Sequence, residues 1–198
     1  MHQRGAESRG RRHLIAGIVL AAGQSTRFGR QKMLEHWEGE PLVRRAARRF
    51  IDAGLAPVIV VISSDPALGA ALNGLEVRTG VNPQPEQGIS GSIAIGLAEV
   101  PADVGAVLVG VADQPYLTAD AMRALVRAFV LGAIVVPRYG DHRGNPVLFD
   151  RRFFAELRGL SGDRGGQRVV EAHPDIVIEV ELPQEMGEDI DRLEQWPR

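Results

Sequence analysis

Of the 23 Lys and Arg residues in this 198-residue chain, only Lys32 is a lysine. A chain that meets nearly every need for positive charge with arginine has kept one compact ammonium. Such a point charge suits a phosphate oxygen approached head-on, whereas the arginine fork suits flatter, bidentate partners. Lys32 closes the stretch Leu20-Ala21-Ala22-Gly23-Gln24-Ser25-Thr26-Arg27-Phe28-Gly29-Arg30-Gln31-Lys32. Small residues at 21, 22 and 23 let a ligand approach the backbone, and successive N–H groups there can cradle an anion. Ser25 can donate to a phosphate, and Arg27 and Lys32 bring charge to the same loop. The loop is not a P-loop, because Lys32 is followed by Met33 and the glycine spacing differs. Nor is it a dinucleotide fingerprint, which needs G-x-G-x-x-G.

Five other segments carry groups of chemical interest. Asp113 follows the apolar run Gly105 to Val111 and precedes Gln114-Pro115. A carboxylate there can hold a hard cation against substrate phosphates, or cap the helix that follows. Glu188-Asp189-Ile190-Asp191 offers further carboxylates near the end of the chain, or an acidic cap of a last helix over 192–196. Asn82, then Gly88-Ile89-Ser90-Gly91-Ser92, precede a helix whose first N–H groups can bind an anion or a base edge; the two serines could instead serve as caps. Arg143-Gly144-Asn145-Pro146 and Gly162-Asp163-Arg164-Gly165-Gly166-Gln167 complete the set. The five histidines are scattered without metal spacing or a serine partner, and read as surface residues.

These residues need a scaffold, and the hydrophobic pattern supplies one. Ile15 to Ala21, Pro57 to Ile62 and Gly105 to Val111 are continuous apolar runs, as expected of strands covered on both faces. Leu75 to Thr79, Ala133 to Pro137, Pro146 to Phe149 and Ile176 to Val180 read as further strands. Pro41 to Ala53 sets Leu42, Val43, Ala46, Ala47, Phe50 and Ile51 on one stripe and ends at Gly54, an amphipathic helix. Pro66 to Leu72, Ser90 to Glu99, Thr118 to Leu131, Arg151 to Arg158 and Arg168 to Ala172 also read as helices. Alternating strands and helices predict an α/β fold, a Rossmann-like three-layer sandwich whose mostly parallel sheet carries helices on both faces. Ligands of such sheets lie beyond the carboxyl ends of the strands.

Composition narrows the function. Residues 1–13 hold four arginines and one glutamate and read as a disordered basic arm, ahead of a single domain over 14–198. The arm and the apolar run behind it imitate a signal peptide, but the run reads better as a buried strand. The net charge is −2, so the rest of the chain carries −5, which argues against nucleic-acid binding. No stretch reaches the roughly 18 apolar residues of a membrane helix. The absence of cysteine excludes disulfides, zinc–thiolate sites and cysteine nucleophiles. A soluble, cytoplasmic protein is expected.

The pattern L-A-A-G-x-S-x-R-F-G-x-x-K resembles the signature of the MobA-like nucleotidyltransferases, relatives of the enzymes that complete the molybdenum cofactor. The likeness extends over about residues 14–196: Val111 to Pro115 resembles the family's G-D-Q-P segment with Ala112 for Gly, and Asp189 to Asp191 its D-I-D segment. The resemblance implies the nucleotide-diphospho-sugar transferase fold. It implies nucleotide binding by Leu20, Ala21, Ala22, Gly23, Ser25, Arg27 and Lys32, with Asn82, Gly88, Ser90 and Ser92 beside the base and ribose. Lys32, Arg27 and Asp113 would be catalytic. Asp113 and Asp191 (with Asp189 as the alternative to Asp191) would hold Mg²⁺, and Arg143, Asn145 and Asp163 would meet the acceptor. Ala22, where guanylyl-transferring relatives usually have Gly, implies CTP as donor and a molybdopterin-type acceptor, with a molybdoenzyme or its chaperone as recipient of the product. Other readings are a cytidylyltransferase for methylerythritol phosphate or a sugar phosphate, and a nucleotide-binding regulator without turnover.

Overall fold

The computed structural model describes residues 14–25, 28–190 and 196. The basic arm, Arg27, Asp191 and the expected last helix, Trp196 excepted, lie outside the described residues. In chain order the elements are β1 (Ile15–Ala21), a hairpin of β2 (His36–Trp37) and β3 (Glu40–Pro41), α1 (Leu42–Asp52), β4 (Val58–Ile62), α2 (Pro66–Ala71), β5 (Val77–Val81), α3 (Ile89–Ala98), β6 (Ala106–Val111), α4 (Ala119–Ala128), β7 (Ile134–Tyr139), β8 (His142–Arg143), β9 (Val147–Asp150), α5 (Phe154–Arg158), α6 (Gln167–Ala172) and β10 (Val177–Leu182).

The main sheet has the order β10-β7-β9-β6-β1-β4-β5, with β8 added to β7. β1 pairs in parallel with both β4 and β6, β4 with β5, and β10 with β7. β9 runs antiparallel to β6 and to β7. The period of two sorts the central strands between two cores. Val19 and Ala21 of β1, Val58, Val60 and Ile62 of β4 and Leu108 of β6 pack with α1 and α4. Ala16, Ile18 and Leu20 of β1, with Ile59, Val61, Val107 and Val109, face α3, α5 and α6. No helix among the described residues is long and apolar enough to cross a membrane.

Local chemistry explains most of the boundaries. Asp65 caps α2 by accepting from the Ala67 N–H at 2.9 Å, and Thr118 caps α4 by accepting from the Ala121 N–H at 3.2 Å. Gly54, at φ 83°, ends the turn after α1. The strand expected at Leu75 to Thr79 lies two residues later, because the left-handed turn at Gly74 delays entry into β5. The helix expected to reach Leu131 stops at Ala128. Phe129 is extended there, and the Gly132 N–H is drawn to the Asp150 carboxylate at 2.8 Å, which pulls the chain toward β7. The β2–β3 hairpin was not visible in the periodicity: its strands have two residues each, and Glu38 and Gly39 turn it at φ 51° and 90°.

α3 lies on the sheet at glycine distance. A Cβ on Gly96 would be 2.6 Å from Ile18 Cγ2 and 3.2 Å from Val61 Cγ2, both on buried, β-branched side chains. Gly96→Ala should therefore destabilise the protein by about 1–3 kcal/mol, despite alanine's better helix propensity. A lowered denaturant midpoint at unchanged m value is the expected reading.

Candidate active site

The site forms where β1 and β6 end side by side. The Ala112 N–H donates to the Leu20 carbonyl at 3.0 Å, so Asp113 stands beside the loop leaving β1. That loop returns at a short 3₁₀ turn, Lys32–Leu34, capped by Gln31, whose side chain accepts from the Met33 N–H at 3.3 Å. Ser25 helps to shape it: Ser25 Oγ donates to Gln31 Oε1 at 3.3 Å and accepts the Lys32 N–H at 3.2 Å. Ser25 itself sits at φ 52°, an uncommon conformation for a residue with a side chain.

Lys32 is 6% exposed. Its ammonium donates to Asp113 Oδ2 at 2.9 Å and to the Ile190 carbonyl. The Ile190 N–H in turn donates to the Asp113 carbonyl at 3.0 Å. A charge so far out of water is costly unless it is paired and hydrogen-bonded, and the carboxylate and carbonyl meet that need. Asp113 keeps its side chain 23% exposed, toward a cleft of about 370 Å³. Leu20, Ala22, Gly23, Ser25, Lys32, Gly88, Ser92, Asp113 and Asp163 line this cleft. Ala21 points to the opposite core, so only its backbone faces the ligand side.

A second cleft of about 350 Å³ adjoins the first at Leu20, Ile89 and Asp163. Its floor is apolar, including Val109, Val136 and Phe149, and its rim holds Arg143, Asn145, Arg164 and Gln167. Arg143 Nε donates to Glu179 Oε1 at 2.7 Å. That bond, then one from Arg138, holds the Glu179 carboxyl below its usual range. The 162–166 loop separating the clefts rests on α3 and the sheet at backbone distance. A Cβ at Gly88, φ 103°, would lie 2.5 Å from the Gly162 carbonyl carbon, and one at Gly166 would lie 2.8 Å from the Phe149 ring.

Asn82 and Ser90 are buried and support the cleft wall from behind. Asn82 Nδ2 donates to Ser92 Oγ at 2.9 Å, and Asn82 Oδ1 accepts from the Gln84 N–H at 2.9 Å. Ser90 Oγ donates to the Gly162 carbonyl at 2.7 Å. Ile190's part is invisible in the sequence, since a backbone carbonyl has no residue signature. Gln114 likewise has a role that its residue type does not announce: it is buried, its Nε2 donates to the Gly187 carbonyl at 3.3 Å, and its Oε1 has no hydrogen-bond partner among the described residues. Behind the loop, Trp196 meets Phe28 and Trp37 edge-on, at centroid distances of 5.6 and 5.2 Å.

Among the described residues, no group of three His, Asp or Glu side chains could hold a metal unaided. Asp113 and Asp163 put hard carboxylate oxygens on the cleft lining, donors that fit a divalent cation sharing its shell with substrate phosphates and water. They do not suit a soft metal.

The chain matches the MobA-like NTP transferase domain over residues 17–177. It is 31% identical to the molybdenum cofactor guanylyltransferase of Rhodobacter capsulatus over 195 residues, 91% of this chain and 97% of that protein. It is 27% identical to the purine catabolism protein PucB of Bacillus subtilis over 168 residues, 80% of this chain and 81% of that one. It spans only 31% of the bifunctional protein GlmU of Anaeromyxobacter dehalogenans, at 32% identity over 67% of this chain. Rv0371c of Mycobacterium tuberculosis superposes with a TM-score of 0.83 at 26% identity, covering 93% of this chain and 96% of that one. Its complex with manganese superposes with a TM-score of 0.72 at 27% identity, covering 86% and 89%.

Ser90→Ala removes one of two donors to the Gly162 carbonyl, since the Ser90 N–H remains at 3.2 Å. The expected cost is about 1 kcal/mol. Amide hydrogen exchange should quicken selectively over residues 162–166.

Proposed function

The chain belongs to the MobA-like NTP transferase domain family, and from that premise we propose that it transfers CMP from CTP to the terminal phosphate of a molybdopterin-type cofactor, releasing pyrophosphate. The observation that carries the choice of donor is Ala22. It lines the first cleft at 2% exposure, next to Gly23. In this reading its methyl would take up space that a purine needs, as the resemblance to the cytidylyl-transferring branch implies. The apolar floor and charged rim of the second cleft suit a flat, phosphorylated ring system.

An oxygen of the acceptor phosphate attacks the α-phosphorus, the bond to the β-phosphate oxygen breaks, and pyrophosphate leaves. Little covalent help is needed beyond alignment and neutralisation of charge. In this reading Lys32 moves its ammonium from Asp113 to the α-phosphoryl oxygens, joined by Arg27 from the same loop. Backbone N–H groups at 22–25 cradle the remaining phosphates, and Gly88 and Ser92 at the start of α3 stand beside the base and ribose. Arg143, Asn145 and Asp163 orient the acceptor. A divalent cation such as Mg²⁺ would be held by Asp113 with Asp191 or Asp189, and when bound would supply positive charge to neutralise the phosphates. The manganese complex of Rv0371c supports a cation in this fold.

A second reading has GTP as donor, favoured by the name of the Rhodobacter capsulatus relative. Transfer of α-labelled nucleotide to the molybdenum cofactor with Mg²⁺ decides between them. The expected result is a kcat/KM for CTP at least about tenfold above that for GTP, with Ala22→Gly narrowing the gap. Equal or better transfer from GTP overturns the cytidylyl reading.

Lys32→Arg should lower kcat by on the order of 100-fold, because the wide fork cannot replace a point charge in a tight loop. Steady-state turnover within threefold of wild type would refute the role given to the ammonium.

A further inference from the structure

Tyr139 ends β7 with no exposed surface, and the mechanism above makes no use of it. Two backbone segments of the site rest against one edge of its ring. On the acceptor side, a Cβ at Gly144 would lie 2.9 Å from Tyr139 Cε2 and 3.0 Å from Cδ2. On the other side, a Cβ at Gly187 would lie 2.5 Å from Cδ2 and 3.0 Å from Cε2. Only glycine lets both chains approach so closely. The Tyr139 hydroxyl donates to the Asn145 carbonyl at 2.6 Å, within the loop that rims the second cleft.

The Gly187 side leads to the first cleft. Gln114 Nε2 holds the Gly187 carbonyl at 3.3 Å, and three residues later Ile190 gives its N–H to the Asp113 carbonyl and its carbonyl to the Lys32 ammonium. One rigid ring therefore touches both the acceptor loop and the segment that seats the ammonium. Burial, and then the Asp189 carboxylate, push the phenol pKa up, so the hydroxyl keeps its proton as a donor.

We propose that Tyr139 is a positioning residue: its ring sets the spacing between the Gly144–Asn145 loop and the Gly187–Ile190 segment, and its hydroxyl fixes the loop alone. This rests on reading the first cleft as the seat of the donor's phosphates. It differs from simple core filling because the two ends of the side chain govern different substrates.

The test compares Tyr139→Phe with Gly187→Ala in the full chain. Binding of inorganic tripolyphosphate is measured by calorimetry, and steady-state constants with donor and acceptor. Tyr139→Phe keeps the ring and loses the hydroxyl. It should raise the acceptor KM about fivefold or more while leaving kcat and the tripolyphosphate Kd within twofold. Gly187→Ala drives a methyl into the ring edge. It should raise the tripolyphosphate Kd about tenfold and lower kcat, with the acceptor KM within threefold. Should Gly187→Ala fail to fold, Gln114→Met, which removes the donor to Gly187, takes its place with the same expectation.

A merely structural Tyr139 would move all constants together in both variants, in step with Tm, and that result overturns the proposal. So does no change in either variant. If wild-type protein binds tripolyphosphate but does not transfer to the molybdenum cofactor, the acceptor reading fails while the tripolyphosphate contrast still decides this one. If wild type binds no tripolyphosphate, the phosphate-site reading falls and this inference with it.

Discussion

The Lys32 ammonium is the constraint around which the site is organised. It is buried to 6% exposure, where an uncompensated charge would cost several kcal/mol, so its partners must arrive together and stay in place. The ammonium and these partners come from three distant parts of the chain: Lys32 from the loop after β1, Asp113 from the end of β6, and the Ile190 carbonyl from the chain beyond β10. Parallel pairing of β1 with β6 brings the first two to one end of the sheet. The third requires the chain beyond β10 to return across that end. A lysine satisfies this arrangement because its three donors radiate from one atom, whereas a guanidinium needs partners arrayed in a plane.

The rest of the cleft is built by close backbone approach. Gly88, at φ 103°, lets the start of α3 lie against Gly162, and Gly166 lets the 162–166 loop settle on Phe149. A side chain at either position would separate the walls of the two clefts. The reversed strand has a similar consequence. Because β9 runs antiparallel to β6, its first residue, Val147, pairs with Val109 near the carboxyl end of β6. Arg143 and Asn145, which precede β9, are thereby delivered to the end of the sheet where the β1 loop lies. In an all-parallel sheet they would stand at the opposite end.

Membership of the family accounts for the α/β frame, which proteins of different names share. Under the proposed function, the choice of donor and acceptor on this frame would rest on a few side chains at the cleft walls, such as Ala22 in the first cleft and Asn145 and Gln167 at the rim of the second. Function is a property of the site rather than of the fold.

By itself the sequence determined most of the strands and helices and marked out the loop from Leu20 to Lys32. Buried parallel strands declare themselves as unbroken apolar runs, amphipathic helices as stripes with caps, and the loop as small and charged residues spaced from Leu20 to Lys32. Each signal depends on neighbours within a turn or a strand, so it survives in one dimension. Boundaries were less legible where a distant group intervened, as when Asp150 captures the Gly132 N–H and shortens α4. Only the tertiary structure decided that β9 is reversed, that Asn82 and Ser90 brace the wall from behind, and that a backbone carbonyl at Ile190 holds the ammonium. These depend on pairing across tens of residues and on main-chain groups that every residue carries, so no residue type announces them.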